Sequence, residues 1–332
     1  MRTLHSPCLH IIAIFLLSAN LSLASSVSPS TEQRAKAAAA TALHNRACTK
    51  ISPFYWEIGD KEKPLISASV GGNTYDANTN MMIASASKWI WSSYVVQLKH
   101  GNLSDADIAS LNMTSGYTSF RYPRCARLGN DGKSDVSVKQ CFDAKNLLGS
   151  NSEIDAEAVG HFYYNGGHFQ KQAIDLGLGK FNSISLQQAM QSVLGNDFSF
   201  GFDSPQLAGG VTTSAANYAV FLRKILNSQL LMHDALGTHA VCTNPKTCPS
   251  AMSTPMPSDE SWHYSLGHWV EDDPKTGDSS FSSPGAFGFY AWIDHSKTYY
   301  GIVARKAPAG SAIDSVKCGR EIRKAWMSGN PQ

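Results

Sequence analysis

The sequence predicts an α+β protein whose mostly antiparallel sheet is flanked by terminal helices and interrupted by an inserted helical domain. Strand-like patterns occur at 51–70 and again at 262–305. The stretch between them is mainly helical in pattern, and helices are also expected at both ends of the chain. Since two early strands must pair with three late ones, the sheet is expected to combine both ends of the chain.

The first 24 residues have the pattern of a secretory signal. Arg2 is followed by an apolar run at 9–17, and Ser22-Leu23-Ala24 has the small residues of a cleavage site. The run is too short to span a membrane as a mature anchor. The sequence therefore predicts a periplasmic or secreted protein with no membrane anchor after cleavage.

The composition is that of an ordinary globular protein. Of its 332 residues, 42% are hydrophobic and 16% charged, and the formal net charge is +2. A charge this small does not favour nucleic acid or an anionic membrane as a partner. A small-molecule substrate is the expected partner.

The first elements follow from caps and alternating patterns. The run Ser28-Pro29-Ser30-Thr31-Glu32 is a good N-terminal cap for an alanine-rich helix within 28–50, and strands at 51–57 and 65–70 enclose a hairpin at 59–64. The sheet domain is accordingly placed at 28–75 and 255–332.

The inserted domain is placed at 76–254. Helices are predicted at 153–180 and 185–195, and Ser214 is expected to cap a helix that ends near 227. The chain then returns to strands at 262–270, 286–293 and 298–305, and a helix at 312–327 completes it.

Ser85-Ala86-Ser87-Lys88 is the first candidate for catalysis. Apolar residues follow at helical spacing, so Ser85 is expected at the first turn of a buried helix with Lys88 on the same face. A desolvated lysine can take the proton of a serine nucleophile, and a helix N-terminus stabilises an oxyanion. The structural alternative is a serine cap with Lys88 reaching solvent. Lys88 is, however, the only lysine with a serine three positions earlier.

Tyr163-x-Asn165 is the second candidate. A tyrosine beside a lysine can serve as base and then as acid, while Asn165 would orient Lys88 or a substrate amide. The structural alternative is an aromatic helix start before a Gly-Gly turn. Ser110-x-Asn112 is a competing motif, but it lies only 25 residues after Ser85.

Six cysteines remain after signal removal, which predicts three disulfides. Sequence alone permits 15 pairings, and proximity favours Cys125–Cys141 and Cys242–Cys248. A zinc site is the competing interpretation, but the chain has no Cys-x-x-Cys pair. The histidines also lack metal-ligand spacing, so neither a metal nor an organic cofactor is expected.

The motifs together resemble the penicillin-recognising serine hydrolases, which include class C β-lactamases, D-alanyl-D-alanine peptidases and β-lactamase-like esterases. The resemblance runs from about residue 30 to the C-terminus and rests on Ser85-x-x-Lys88, Tyr163-x-Asn165, the run 205–214 and Tyr264-x-Leu266-Gly267-x-Trp269. It implies a sheet flanked by terminal helices, with the site between sheet and helical domain. Adjacent terminal helices would make Cys48–Cys318 the third disulfide.

The third motif of this family is Lys-Thr-Gly or Lys-Ser-Gly on a strand beside the serine. Lys275-Thr276-Gly277 has the letters, but its polar surroundings predict a hairpin tip. The better match is Ser283-Pro284-Gly285-Ala286. There, Ser283, Pro284 and Gly285 would line the substrate, Gly285 letting it lie close to the strand. The N–H groups of Ala286 and Ser85 would form the oxyanion hole.

This match lacks the lysine that helps to hold a ligand carboxylate in β-lactamases. Arg305 or Arg124 could replace that charge. The sequence therefore favours an esterase or amidase for small acyl substrates that forms an acyl-enzyme on Ser85. The alternatives are a D-alanyl-D-alanine peptidase or β-lactamase, and a catalytically silent relative that binds peptidoglycan or a partner.

Overall fold

The computed structural model of the chain describes residues 28–121, 125, 136–147 and 149–332. The predicted signal at 1–24 and Arg124 lie outside these residues. No helix in the described part of the chain is long and apolar enough to cross a membrane.

The helices lie before, within and after the strand regions. They span Thr31–His44 (α1), Arg46–Thr49 (α2), Ser87–Leu98 (α3), Asp105–Leu111 (α4), Val138–Asp143 (α5), Gly167–Asp175 (α6), Ser183–Leu194 (α7), Ala215–Leu226 (α8), Met232–Ala235 (α9) and Ala312–Ser328 (α10). Short 3-10 turns occupy Ala84–Ala86 and Ala156–Ala158.

The strands are Phe54–Asp60 (β1), Pro64–Val70 (β2), Met81–Met82 (β3), Lys145–Asn146 (β4), Gly149–Ser150 (β5), Phe162–Tyr163 (β6), Gly201–Phe202 (β7), Val211–Thr213 (β8), Val241–Cys242 (β9), Ala251–Ser253 (β10), His263–Ser265 (β11), His268–Glu271 (β12), Ser280–Pro284 (β13), Tyr290–Ile293 (β14) and Tyr299–Ala304 (β15). Among the described residues the largest sheet has eight strands, in the order β2-β1-β15-β14-β13-β12-β11-β9. Its neighbouring strands pair antiparallel, which confirms the predicted architecture.

The largest sheet in the described residues has more strands than the five that the sequence predicted. The expected strand at 262–270 is a hairpin, because Leu266 and Gly267 have positive φ and reverse the chain between β11 and β12. The expected strand at 286–293 begins only at Tyr290, and β13 was expected only through the resemblance, which placed Ser283 and Pro284 on a strand. β9 also joins this sheet from within 76–254. The domain boundaries themselves stay a prediction.

The sequence predicted a helix over 153–180, but the structure does not contain one long helix there. It forms a 3-10 turn, the short strand β6, and then α6 from Gly167. β6 pairs in parallel with β10, and Tyr164 N donates to Ser253 O just beyond it. Because that pairing joins segments about ninety residues apart, local periodicity did not reveal it.

The two terminal helices pack together on the sheet. Arg34 of α1 donates to the carbonyls of Trp326 and Met327 at the end of α10. The disulfide Cys48–Cys318 joins α2 to α10. Cys125–Cys141 and Cys242–Cys248 are also bonded, so all three predicted pairs are confirmed.

Buried charges fasten α10 to the sheet. Glu271 on β12 is fully buried and pairs with Arg320 and Arg323 of α10 at 3.0 and 2.8 Å. The two arginines hold the pKa of Glu271 at about 2 against the opposing effect of burial. This face of the sheet is therefore occupied, and the Ala84–Ala86 turn that precedes α3 lies near β13, where the candidate site is found.

Candidate active site

Ser85 lies in the 3-10 turn that leads into α3. The residues Ser87 to Val96 that follow are all buried, whereas Ser85 itself is half-buried. Ala84 adopts a positive φ of 45°, which costs an alanine about 1–3 kcal/mol. The turn thus holds its hydroxyl at a reachable position before a rigid helix.

Lys88 lies one turn later and points back to the serine. Its Nζ lies 2.9 Å from Ser85 Oγ and donates to Ala208 O at 2.7 Å. The residue is only 4% exposed, and burial lowers the pKa of Lys88 from its ordinary 10.5 to about 7. A large fraction of the amine is therefore unprotonated near neutral pH and available to accept the Ser85 proton.

Tyr164 completes the group around the lysine. Lys88 Nζ lies 4.7 Å from the centre of the Tyr164 ring. Burial raises the pKa of Tyr164 to about 12, an effect opposed by its hydrogen bonds to Ser85 and Trp269. The phenol therefore keeps its proton at neutral pH and acts as a donor, while Lys88 is the stronger candidate for the base.

Tyr164, rather than the predicted Tyr163, occupies this position. Successive residues of a strand point to opposite faces, and both Phe162 and Tyr164 contact Trp269. Tyr163 contributes its backbone, since its N–H donates to Met113 O and its carbonyl accepts from His168. The Tyr163-x-Asn165 motif placed Tyr163 in the catalytic role, but the ring that lies against Lys88 is that of Tyr164, so the geometry favours Tyr164 as the candidate.

Asn165 does not reach Lys88 in the way the sequence suggested. Its Oδ1 accepts from the N–H groups of Phe120 and Gly167 at 3.2 and 2.9 Å, and its Nδ2 donates to Phe120 O at 3.3 Å. Both ends of the amide are thus paired with backbone. Asn165 fixes the position of Phe120 instead of orienting the base.

The stretch Ser283–Ala286 runs beside the nucleophile, as predicted, but with different contacts. Ser283 Oγ donates to Ser85 O at 3.3 Å, and Pro284 is the last residue of β13. A Cβ on Gly285 would overlap the carbonyl of Ile83, so this glycine is required by packing. Among the described residues, no acceptor pairs with the N–H of Ser85 or Ala286. Their role as oxyanion donors stays a prediction.

The competing motifs lie elsewhere. Lys275 and Thr276 form a turn around Asp273 in the loop between β12 and β13, which confirms the predicted hairpin tip. The side chain of Asn112 ties together His239 O and Leu266 N. Arg305 donates to Ser315 Oγ and Ser311 O, and it is not among the residues that line the cavity at Ser85.

A cavity of about 200 Å³ opens at Ser85. Met82, Phe120 and Phe287 supply its large apolar side chains, and no charged side chain lines it among the residues that the structure describes. It is smaller than the roughly 300–1,000 Å³ of sites for drug-sized ligands. A larger surface cavity, of about 610 Å³, lies beside Asp294 and Arg323 and contains none of the catalytic candidates.

The wall residues were not predicted. Met82 precedes the serine by three positions, whereas Phe120 and Phe287 come from distant loops. No sequence pattern distinguishes them from core aromatics. The hydrogen bond from Phe120 N to Asn165 Oδ1 links Phe120 to a predicted site residue, but this contact is visible only in the structure.

Fold and site together define a β-lactamase-like architecture with a serine and a lysine at its centre. No family model and no curated protein matches the sequence. In structure, the chain is similar to EstCE1, a hydrolase with promiscuous acyltransferase activity, with a TM-score of 0.58 and 12% identity over 90% of this chain and 99% of that one.

Two further solved structures are similar. A D-stereospecific amidohydrolase from Streptomyces sp. has a TM-score of 0.55 and 14% identity, covering 87% of this chain and 98% of its own. An octameric penicillin-binding protein homologue from Pyrococcus abyssi has a TM-score of 0.57 and 13% identity, covering 84% and 74%. At these identities the similarity shows the fold, which is the one that the sequence motifs predicted.

Proposed function

We propose that the protein is an exported serine hydrolase that forms an acyl-enzyme on Ser85 and acts on small, uncharged esters or amides. The observation that carries this proposal is the 2.9 Å approach of Lys88 Nζ to Ser85 Oγ, together with the burial that lowers the pKa of Lys88 to about 7. A silent binding protein has no need of such a pair. Similarity to an amidohydrolase and to a hydrolase with acyltransferase activity supports the same class of chemistry.

In the proposed reaction, unprotonated Lys88 accepts the proton of Ser85 as Oγ attacks the acyl carbon. The resulting oxyanion would lie near the N–H groups of Ser85 and Ala286. When the bond to the leaving group breaks, Tyr164 gives its proton to the departing oxygen or nitrogen and recovers one from the Lys88 ammonium. Water then attacks the acyl-enzyme and gives a proton to Lys88. As the bond to the acyl group breaks, Lys88 returns that proton to Ser85 Oγ, and the acid is released.

The composition of the cavity supports uncharged substrates. Its described lining has no cation to pair with a carboxylate, and Ser283 is occupied by the Ser85 carbonyl. Desolvating a carboxylate there without a partner would be strongly unfavourable. β-Lactams and acyl-D-alanyl-D-alanine peptides carry such a carboxylate, so they are the less favoured substrates.

Three disulfides support export, since disulfides persist in oxidising compartments. The predicted signal at 1–24 agrees with this part of the proposal.

Intact-mass measurement tests the proposal. Mature protein and a Ser85→Ala variant are incubated separately with an alkyl fluorophosphonate and with benzylpenicillin. We expect a Ser85-dependent phosphonyl adduct and no stable penicilloyl adduct, with the penicillin left intact. A stable penicilloyl adduct would assign the protein to the penicillin-binding class, and hydrolysed penicillin to the β-lactamases. If Ser85 forms no adduct with either reagent, the proposed hydrolase is ruled out and the catalytically silent binding protein is the alternative that remains.

A further inference from the structure

Gln206 is the one polar side chain besides Ser85 in the described lining of the cavity. It is 4% exposed, and its Nε2 donates to Ser204 Oγ at 2.8 Å. No donor among the residues that the structure describes pairs with its Oε1. Gln206 Oε1 is not among the fully buried side-chain atoms that lack a partner, and Gln206 lines the cavity, so this oxygen is open to an N–H or O–H donor of a ligand.

The backbone around Gln206 holds this side chain in place. Its N–H donates to Ser204 O at 2.7 Å, and its carbonyl accepts from Gly209 and Gly210 at 3.3 and 2.8 Å. Leu207 N donates to the buried side chain of Gln170 at 3.4 Å. Because the turn is fixed before any ligand arrives, Gln206 can select a ligand group by its position.

The same turn lies next to the catalytic pair. Ala208, two residues after Gln206, accepts the hydrogen bond from Lys88 through its carbonyl and also lines the cavity. An acyl group bound to Ser85 and lying in this cavity would therefore pass Gln206. An unpaired oxygen there matches an N–H or O–H donor on the acyl group, and the uncharged lining excludes an ammonium without a partner.

We propose that Gln206 is a specificity-determining residue that accepts a hydrogen bond from an amide N–H in the acyl part of the substrate. The inference rests on the proposed function and narrows it from small acyl esters and amides to N-acylated aminoacyl derivatives. Phe120 and Phe287 then enclose the apolar part of the acyl group, and the cavity of about 200 Å³ limits it to a small residue.

The test compares two uncharged esters of matched shape, ethyl N-acetylglycinate and ethyl levulinate, in which a methylene replaces the N–H. Initial rates of hydrolysis give kcat/KM for the wild type, for Gln206→Met and for Gln188→Met. Methionine keeps the unbranched shape of glutamine but removes its acceptor. Gln188 is exposed on α7 and serves as the matched control.

For the wild type we expect kcat/KM to be roughly tenfold higher for the N–H ester, which is the usual effect of one neutral hydrogen bond. In Gln206→Met the preference should disappear because kcat/KM falls for the N–H ester and not for ethyl levulinate. Gln188→Met should retain the preference. Equal rates for both esters in the wild type, or an equal loss for both in Gln206→Met, would overturn the inference.

The wild-type comparison keeps the test decisive if the Gln206 variant does not fold. If the wild type hydrolyses neither ester and Ser85 forms no phosphonyl adduct, the proposed function fails and this inference with it. If Ser85 is labelled and both esters are hydrolysed without preference, only the role of Gln206 fails.

Discussion

Replacing Lys88 with methionine should make the protein more stable at neutral pH while abolishing hydrolysis. The lysine is almost completely buried, and burial lowers its pKa from 10.5 to about 7. Methionine has a similar length and carries no charge, so it fits the same space without the desolvation cost. The prediction reverses the usual expectation that loss of a buried, hydrogen-bonded residue destabilises a fold.

The size of the effect follows from the difference in proton affinity. In the unfolded chain Lys88 has its ordinary pKa, so between pH 7 and 10.5 the unfolded state binds a proton that the folded state does not. A fall in pKa from 10.5 to about 7 corresponds to roughly 5 kcal/mol. The cost is complete below pH 7 and disappears as the pH rises toward 10.5.

Part of this gain is offset. Methionine leaves Ala208 O without the donor that now lies 2.7 Å away, and an unpaired buried carbonyl costs about 1–3 kcal/mol. The net increase in the free energy of unfolding at pH 7 is therefore about 2–4 kcal/mol. Above pH 10 the desolvation cost has gone, and the variant should be the less stable protein.

Thermal unfolding followed by circular dichroism at pH 7, 8.5 and 10 checks this. The Tm of Lys88→Met should exceed that of the wild type at pH 7, and the difference should shrink and change sign as the pH rises. Lys317→Met alters an exposed lysine of α10 and is the matched control. A Lys88→Met variant that is less stable at pH 7, or a difference independent of pH, would show that Lys88 is not held with a lowered pKa.

Two further predictions concern the chemistry. For an uncharged ester, kcat/KM should rise about tenfold per pH unit below pH 7 and level off above it, because only unprotonated Lys88 accepts the Ser85 proton; a flat profile from pH 6 to 8 would contradict this. Tyr164→Phe should lower kcat roughly 10²- to 10⁴-fold by removing the acid, whereas Tyr163→Phe should leave kcat within about twofold. The opposite ranking, from steady-state rates of the two folded variants, would restore Tyr163 to the role first predicted for it.

The parts of the site that the sequence predicted are those determined by local geometry. Ser85 and Lys88 are one helical turn apart, so their approach depends only on the start of α3. Cys125–Cys141 and Cys242–Cys248 were likewise predicted from proximity along the chain. The eight-stranded sheet was predicted in outline because its strands alternate in pattern at both ends of the chain.

The parts that could not be predicted depend on distant segments. The choice between Tyr163 and Tyr164 rests on the pairing of β6 with β10, which is invisible to a scan for helical periodicity. Asn165 was expected to orient the base or a substrate amide, but its side-chain amide is paired with the backbone of Phe120 and Gly167. Gln206 carries no motif, and its importance appears only once the turn before Ala208 is placed against Lys88.

The turn at 206–210 both binds the catalytic lysine and lines the cavity. Ala208 steadies the amine of Lys88 through its carbonyl, and Gln206 lines the cavity two residues earlier. During evolution, any insertion or shift that reshapes this turn would change the base along with the lining. Phe120 and Phe287 lie on other loops, and their apolar side chains line the cavity without hydrogen-bonding to Lys88. New substrate ranges should therefore arise first by substitution at those two positions, and the turn should diverge last.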